Sequence, residues 1–140
     1  MRMPIFAAAL AATCWTVAAE AATVLITGSN RGIGLELARQ YADLGWDVIA
    51  TSRTPADDDD LQALSTQYDN LRIEVLDVSD HEQIDALAKK LAGTPIDVLM
   101  NNAGILGGAP DVQSIGSIDF ASMEQVYKTN AIGPMKMAEA

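Results

Sequence analysis

The sequence contains one cysteine, Cys14, and one histidine, His81, in 140 residues. A disulfide framework is therefore excluded, and a His-rich metal site finds no support. Aromatic residues make up only 5%, too few for a surface that stacks nucleic-acid bases. Basic residues are scarce as well: 9 Lys and Arg stand against 19 Asp and Glu, a net charge of −10. An acidic chain without a basic cluster is a poor partner for nucleic acid or an anionic membrane. Apolar residues are not lacking. At 49% hydrophobic and 20% charged, the composition is that of a globular chain and excludes a disordered or collagen-like one. The length suffices for one domain and not two.

The first 21 residues read differently from the rest. Met1-Arg2-Met3-Pro4 precedes an apolar run from Ile5 to Ala19, and Ala19-Glu20-Ala21 follows. A positive start, a short apolar stretch and small residues before a cut describe a secretory signal peptide. The run is short for a membrane span and Glu20 ends it. No Arg-Arg pair marks a twin-arginine signal. The expected organisation is a signal peptide over 1–21 and a folded portion over 22–140. A working signal implies a periplasmic or secreted protein; without one the location is cytoplasmic.

From Thr23 onward, strand and helix patterns alternate. Thr23 to Thr27 is a short β-branched apolar run, the pattern of a buried strand. Positions 34, 37, 38, 41 and 44 then recur as on one helix face, with Gly45 as the stop. Asp47–Ser52 is a second strand. The acidic run Asp57 to Asp60 falls where the next helix begins, and negative charge favours that end. Leu61, Leu64 and Tyr68 carry this helix. Arg72–Asp77 is a third strand, and Ser79 with Glu82 fits a capping box. Ile84, Leu87, Ala88 and Leu91 form the next helical stripe, and Ile96–Asn101 a fourth strand. Phe120, Met123, Val126, Tyr127 and Asn130 share one side of a last helix, with Tyr127 read as packing. Gly133-Pro134 should kink that helix. Strands separated by such helices imply right-handed crossovers and a parallel α/β sheet of order 3-2-1-4.

Strand, glycine-rich loop and helix in succession form the phosphate-binding device of doubly wound nucleotide folds. Here the loop is Gly28-Ser29-Asn30-Arg31-Gly32-Ile33-Gly34. Its glycines let backbone N–H groups approach a pyrophosphate at a helix N-terminus. The end of the second strand selects the dinucleotide. A carboxylate there binds a ribose 2′-hydroxyl and repels a 2′-phosphate. The sequence reads Thr51-Ser52-Arg53, with no acid before Asp57. Arg53, joined by Arg31, suits a phosphate. The expected cofactor is NADP (NADPH) rather than NAD.

These residues resemble the classical short-chain dehydrogenase/reductase family. The match comprises Thr27 to Gly34, Asp77-Val78, Asn101-Asn102-Ala103-Gly104 and Asn130, and it extends from Thr23 to Ala140. The loop and the Asn130-x-x-Gly133-Pro134 stretch are similar to the carbonyl-reductase-like branch that includes C-factor-type proteins. The resemblance implies a Rossmann-type fold and roles for particular residues. Gly28 to Gly34 wrap the pyrophosphate and adenosine ribose. Asp77 accepts from the adenine amino group, with Val78 beside the ring. Asn102, Ala103 and Gly104 line the path toward the nicotinamide, while Asn101 holds sheet and loop together. Asn130 matches the active-site asparagine that positions a water. The family also implies a small carbonyl or alcohol substrate and dimers or tetramers in the full-length form.

The family's chemistry needs a Ser and a Tyr-x-x-x-Lys. The tyrosine moves a proton at the substrate oxygen, and the lysine lowers its pKa and grips the nicotinamide ribose. Four residues beyond Tyr41, Tyr68 and Tyr127 stand Gly45, Arg72 and Ala131. None is lysine. The chain thus reads as the N-terminal part of a reductase, inactive by itself. The competing reading is a non-catalytic nucleotide-binding or sensing module.

Overall fold

The computed structural model describes residues 21–109 and 114–140. The expected signal peptide lies outside the described residues, except for Ala21. Among the described residues no helix is long and apolar enough to cross a membrane, and no group of His, Cys, Asp and Glu could hold a metal ion.

Four strands, β1 (Thr23–Ile26), β2 (Asp47–Ser52), β3 (Leu71–Val75) and β4 (Val98–Met100), form one sheet of order β3-β2-β1-β4. Every pairing is parallel, with Val24 opposite Val48 and Val98. The order is the one expected. On one face Val24, Ile26, Val48 and Ala50 pack with Ala38 and Ala42 of α1 (Gly32–Asp43) and Leu61 and Leu64 of α2 (Asp59–Gln67). On the other face Leu25 and Ile49 pack with Leu76, Val78 and Ile84 and Leu87 of α3 (His81–Lys90). With helices on both faces, β1 has no polar side to show, which is why its run does not alternate. Ile26, Ile49, Leu61 and Ile84 are fully buried, each worth about 1.5–3 kcal/mol.

The strand ends differ from the expected ones. β3 is shifted toward Leu71, and β4 is shorter than Ile96–Asn101. Asp97, just before β4, stays tied to β1: its N–H donates to the Thr23 carbonyl at 3.0 Å, and its carboxylate accepts from the Thr23 N–H at 2.7 Å. α1 ends at Asp43, so Leu44, expected on its buried face, is 72% exposed. Gly45 turns the chain with φ +78°. Asn70 donates to the Ala42 and Trp46 carbonyls at 3.0 and 2.8 Å and so satisfies one of the helix's orphan acceptors.

The N-cap of α3 sits one residue later than expected, and the reciprocal bond of a capping box is not formed, since the Asp80 N–H donates to the Asp77 carbonyl. Asp80, not Ser79, is the cap and accepts from the N–H groups of Glu82 and Gln83. The Ser79 hydroxyl is occupied by Asp77, to which it donates at 2.7 Å. Gln83 reaches back to Asp80 and accepts from the Asp77 N–H at 2.9 Å. The N–H groups hold the Asp80 carboxyl below its ordinary value.

The last helical stretch is not simply kinked. α4 (Phe120–Tyr127) passes through a π turn, Lys128–Ile132, into α5 (Gly133–Glu139). Pro134 has no N–H for the carbonyl one turn back, and a wider turn there accommodates that gap while the backbone stays right-handed. A Cβ on Gly133 would lie 2.6 Å from the Val78 carbonyl oxygen, so this junction presses on the chain leaving β3. Tyr127, expected to pack, is 63% exposed, as are Phe120 (68%) and Met123 (57%).

Candidate functional site

Thr27, at the end of β1, organises the site. Its backbone N–H donates to the Met100 carbonyl at 2.9 Å. Its hydroxyl accepts from the N–H groups of Asn102 and Ala103, both at 3.0 Å. The C-terminal ends of β1 and β4 are thereby tied together where the chain splits to opposite sides of the sheet. Open α/β sheets bind ligands at such a crevice.

The glycine loop begins here. Gly28 has φ +68°, and a Cβ on it would lie 2.9 Å from Ala103 Cα. Gly34 is the tightest position: a Cβ would meet the Gly28 carbonyl oxygen at 2.2 Å and Asn102 Nδ2 at 2.5 Å. α1 follows with no acidic residue in its first turn and no side-chain cap. Its first N–H groups therefore lack an internal acceptor, the arrangement that favours an anion.

A cavity of about 540 Å³ opens over this loop, within the range of small-molecule sites. Gly28, Asn30, Arg31, Gly32, Ile33 and Gly34 form one wall, and Arg53, Asp77, Val78, Asn102, Ala103 and Gly104 the others. Two expected residues are not in the wall. Ser29 is fully buried; its hydroxyl donates to the Ile26 carbonyl at 2.9 Å and its N–H to the Thr51 carbonyl at 2.8 Å. Asn130 grips the backbone of Ile105 instead, accepting from its N–H at 2.9 Å and donating to its carbonyl at 2.8 Å. This fixes the loop after β4 against the π turn.

Of the two neighbouring asparagines, Asn102 lines the cavity and also takes the framework part expected of Asn101. Asn102 holds the framework, its amide donating to the Thr27 and Gly28 carbonyls at 3.0 and 2.9 Å. Asn101 is exposed and reaches the Pro134 carbonyl at 3.5 Å. Asp77 gives its Oδ1 to the Ser79 N–H and hydroxyl at 2.8 and 2.7 Å. Its Oδ2 has no partner among the described residues and remains able to accept.

The acidic run also needs correction. Asp59 and Asp60 do stand in the first turn of α2. Asp58 instead turns back across the end of β2. It accepts from Asn30 Nδ2 at 3.2 Å and from the Ser52 hydroxyl. A 3-10 turn at Pro55–Asp57 brings it there, which the spacing alone does not reveal. A carboxylate thus does stand beside the end of strand two, behind the wall of the cavity.

Sequence reasoning passed over several lining residues: Ser52, Thr54, Ser79, Ile105, Gln125 and Thr129. The last two come from α4 and the π turn, with Gln125 Nε2 3.4 Å from Thr129 Oγ1. Their spacing of four on a helix was the available signal.

Comparison with known proteins agrees with this geometry. The family model of the short chain dehydrogenases matches residues 22–140. Among curated relatives, (+)-neomenthol dehydrogenase of Arabidopsis thaliana is 33% identical, over 83% of this chain and 46% of its own length. Among solved structures, a carbonyl reductase from Pseudomonas aeruginosa PAO1 in complex with NADP is 36% identical with a TM-score of 0.78, covering 84% of this chain and 53% of that one. The NADPH-bound carbonyl reductase from chicken fatty liver is 33% identical with a TM-score of 0.73, covering 85% and 49%. The chain thus spans about half the length of the relatives it matches. With the parallel 3-2-1-4 sheet, the glycine loop at its crevice and a match over 22–140, the chain belongs to the short-chain dehydrogenase family.

Proposed function

We propose that this chain carries the adenine-side half of an NADP-dependent carbonyl or alcohol oxidoreductase. The observation that carries the reading is the one cavity that the glycine loop, Arg31 and Arg53 all line. The site fits the cofactor on its own terms. A Cβ at Gly28 would collide with Ala103, and one at Gly34 with the Gly28 carbonyl and Asn102, so the loop can fold this tightly only with glycine at both positions, and the first turn of α1 offers N–H groups without side-chain acceptors.

In this reading the backbone from Gly28 to Gly34 binds the pyrophosphate, and Arg31 and Arg53 bind the 2′-phosphate. Asp77 accepts from the adenine amino group through Oδ2, with Val78 against the ring. Ala103 and Gly104 border the path toward the nicotinamide, and Asn102 keeps that path in place by holding the Gly28 carbonyl. Asn130 keeps Ile105 against the π turn and belongs to the catalytic apparatus through that loop. A bound NADPH would supply the hydride; the Tyr-x-x-x-Lys that would move the proton at the substrate oxygen is not among these 140 residues. The chain by itself therefore binds the cofactor without turning over a carbonyl.

The NADP-bound and NADPH-bound reductases among the structural relatives support the cofactor choice. The test is to follow NADPH fluorescence on adding the chain, then NADPH oxidation against a panel of aldehydes and ketones. Saturable binding without oxidation is expected. No binding overturns the cofactor reading, and turnover overturns the assignment of the chemistry to residues outside this chain.

A further inference from the structure

We infer that Asp58 is a positioning residue that tunes the choice between a 2′-phosphate and a 2′-hydroxyl; the inference rests on the cofactor reading above. Asp58 Oδ1 accepts from Asn30 in the glycine loop, and Oδ2 from Ser52 at the end of β2. Ser52 in turn accepts from the Thr54 N–H at 3.3 Å. Asn30, Ser52 and Thr54 all line the cavity, as do Arg31 and Arg53, whereas Asp58 does not. Because it lies outside the cavity lining, it is not placed to accept directly from a ribose hydroxyl.

Two consequences follow from this placement. The first is mechanical. One carboxylate links the glycine loop, which both cofactors would share, to the end of β2. Ser52 is buried, and its hydroxyl proton is committed to Asp58 and not available to an anion. The second is electrostatic. A negative charge fixed behind the arginines opposes part of their attraction for a second phosphate. A neutral 2′-hydroxyl does not feel that opposition.

The two effects separate in the ratio of dissociation constants for NAD⁺ and NADP⁺. Loss of the tie weakens both cofactors alike and leaves the ratio unchanged. Loss of the charge strengthens NADP⁺ alone. The experiment titrates the 140-residue chain and its variants with both cofactors by calorimetry. Asp58→Asn, close to isosteric, is expected to shift the ratio toward NADP⁺ by about three- to tenfold, the order for one charge acting on a phosphate through a high effective dielectric. Asp58→Ala is expected to shift the ratio equally while weakening both cofactors. Ser52→Ala, which keeps the charge and removes half of the tie, is expected to leave the ratio where it was. An unmoved ratio in both Asp58 variants, or a shift toward NAD⁺, overturns the inference. A wild-type chain that binds neither cofactor, or prefers NAD⁺, overturns the cofactor reading beneath it.

Discussion

The side-chain amide of Asn102 donates to the Gly28 carbonyl at 2.9 Å, joining the loop after β4 to the loop after β1. The same nitrogen would stand 2.5 Å from a Cβ on Gly34. One hydrogen bond and one missing methyl group thus shape the floor of the cofactor crevice together.

Gly34→Ala is expected to fail for lack of space and not for backbone strain, because Gly34 is not among the residues with positive φ. The collision is with a backbone oxygen, so the loop must shift. A loss of about 1–3 kcal/mol is expected in chemical denaturation, together with loss of cofactor binding. Gly45→Ala is the control. Gly45 has φ +78° and nothing within 4 Å of its would-be Cβ, so it should lose about 1–2 kcal/mol from left-handed strain and bind cofactor as before.

Asn102→Ala should lower stability by about 1–3 kcal/mol, the penalty for leaving buried acceptors without a donor. Asn102→Asp should be worse, because it faces a carboxylate with the Thr27 and Gly28 carbonyls. Denaturant midpoints rank the three proteins: wild type, then Ala, then Asp.

Asp80 contributes to acid sensitivity. The N–H groups of Gln83 and Glu82 and the Gln83 side chain hold its carboxyl below the ordinary value, with Lys128 assisting. A carboxyl depressed in the folded state stabilises fully above its unfolded value of about 3.9, and that contribution fades as pH falls through the lower folded value. Asp80→Asn keeps a cap without the titration. Its melting temperature should therefore fall less than the wild type's between pH 5 and pH 2, as thermal melts across about that range will read.

The continuous apolar runs and the helical stripes were legible. The sheet order, both core faces and the glycine loop follow from apolar runs such as Thr23–Ile26 and from the change of period after Gly34. Choices between adjacent equivalents were not. Ser79 and Asp80 can each cap a helix, and Asp77 decides by occupying the serine. Asn101 and Asn102 are chemically identical, and only the direction in which the chain leaves β4 tells which one meets the glycine loop. Asp58 is within six residues of Ser52, yet their contact depends on the intervening 3-10 turn. Gly133-Pro134 marks a disturbance of the last helix without specifying that it is a π turn.

Residues 1–21 are proposed to direct export and to be removed. Mass spectrometry of the N-terminus from the native host should find Ala22 at the start. An intact Met1 and Arg2 in cytoplasmic protein would contradict this, and would agree better with a compartment that holds NADPH.

The central claim is that Arg53, with Arg31, reads a 2′-phosphate on the cavity wall. Calorimetric titration of the chain and of Arg53→Ala with NADP⁺ and NAD⁺ tests it most directly. The account predicts tighter binding of NADP⁺ by the wild type and a loss of about 1–3 kcal/mol for NADP⁺ in the variant, the range for a hydrogen bond to a charged group, with NAD⁺ nearly unchanged. Equal losses for the two cofactors would contradict it.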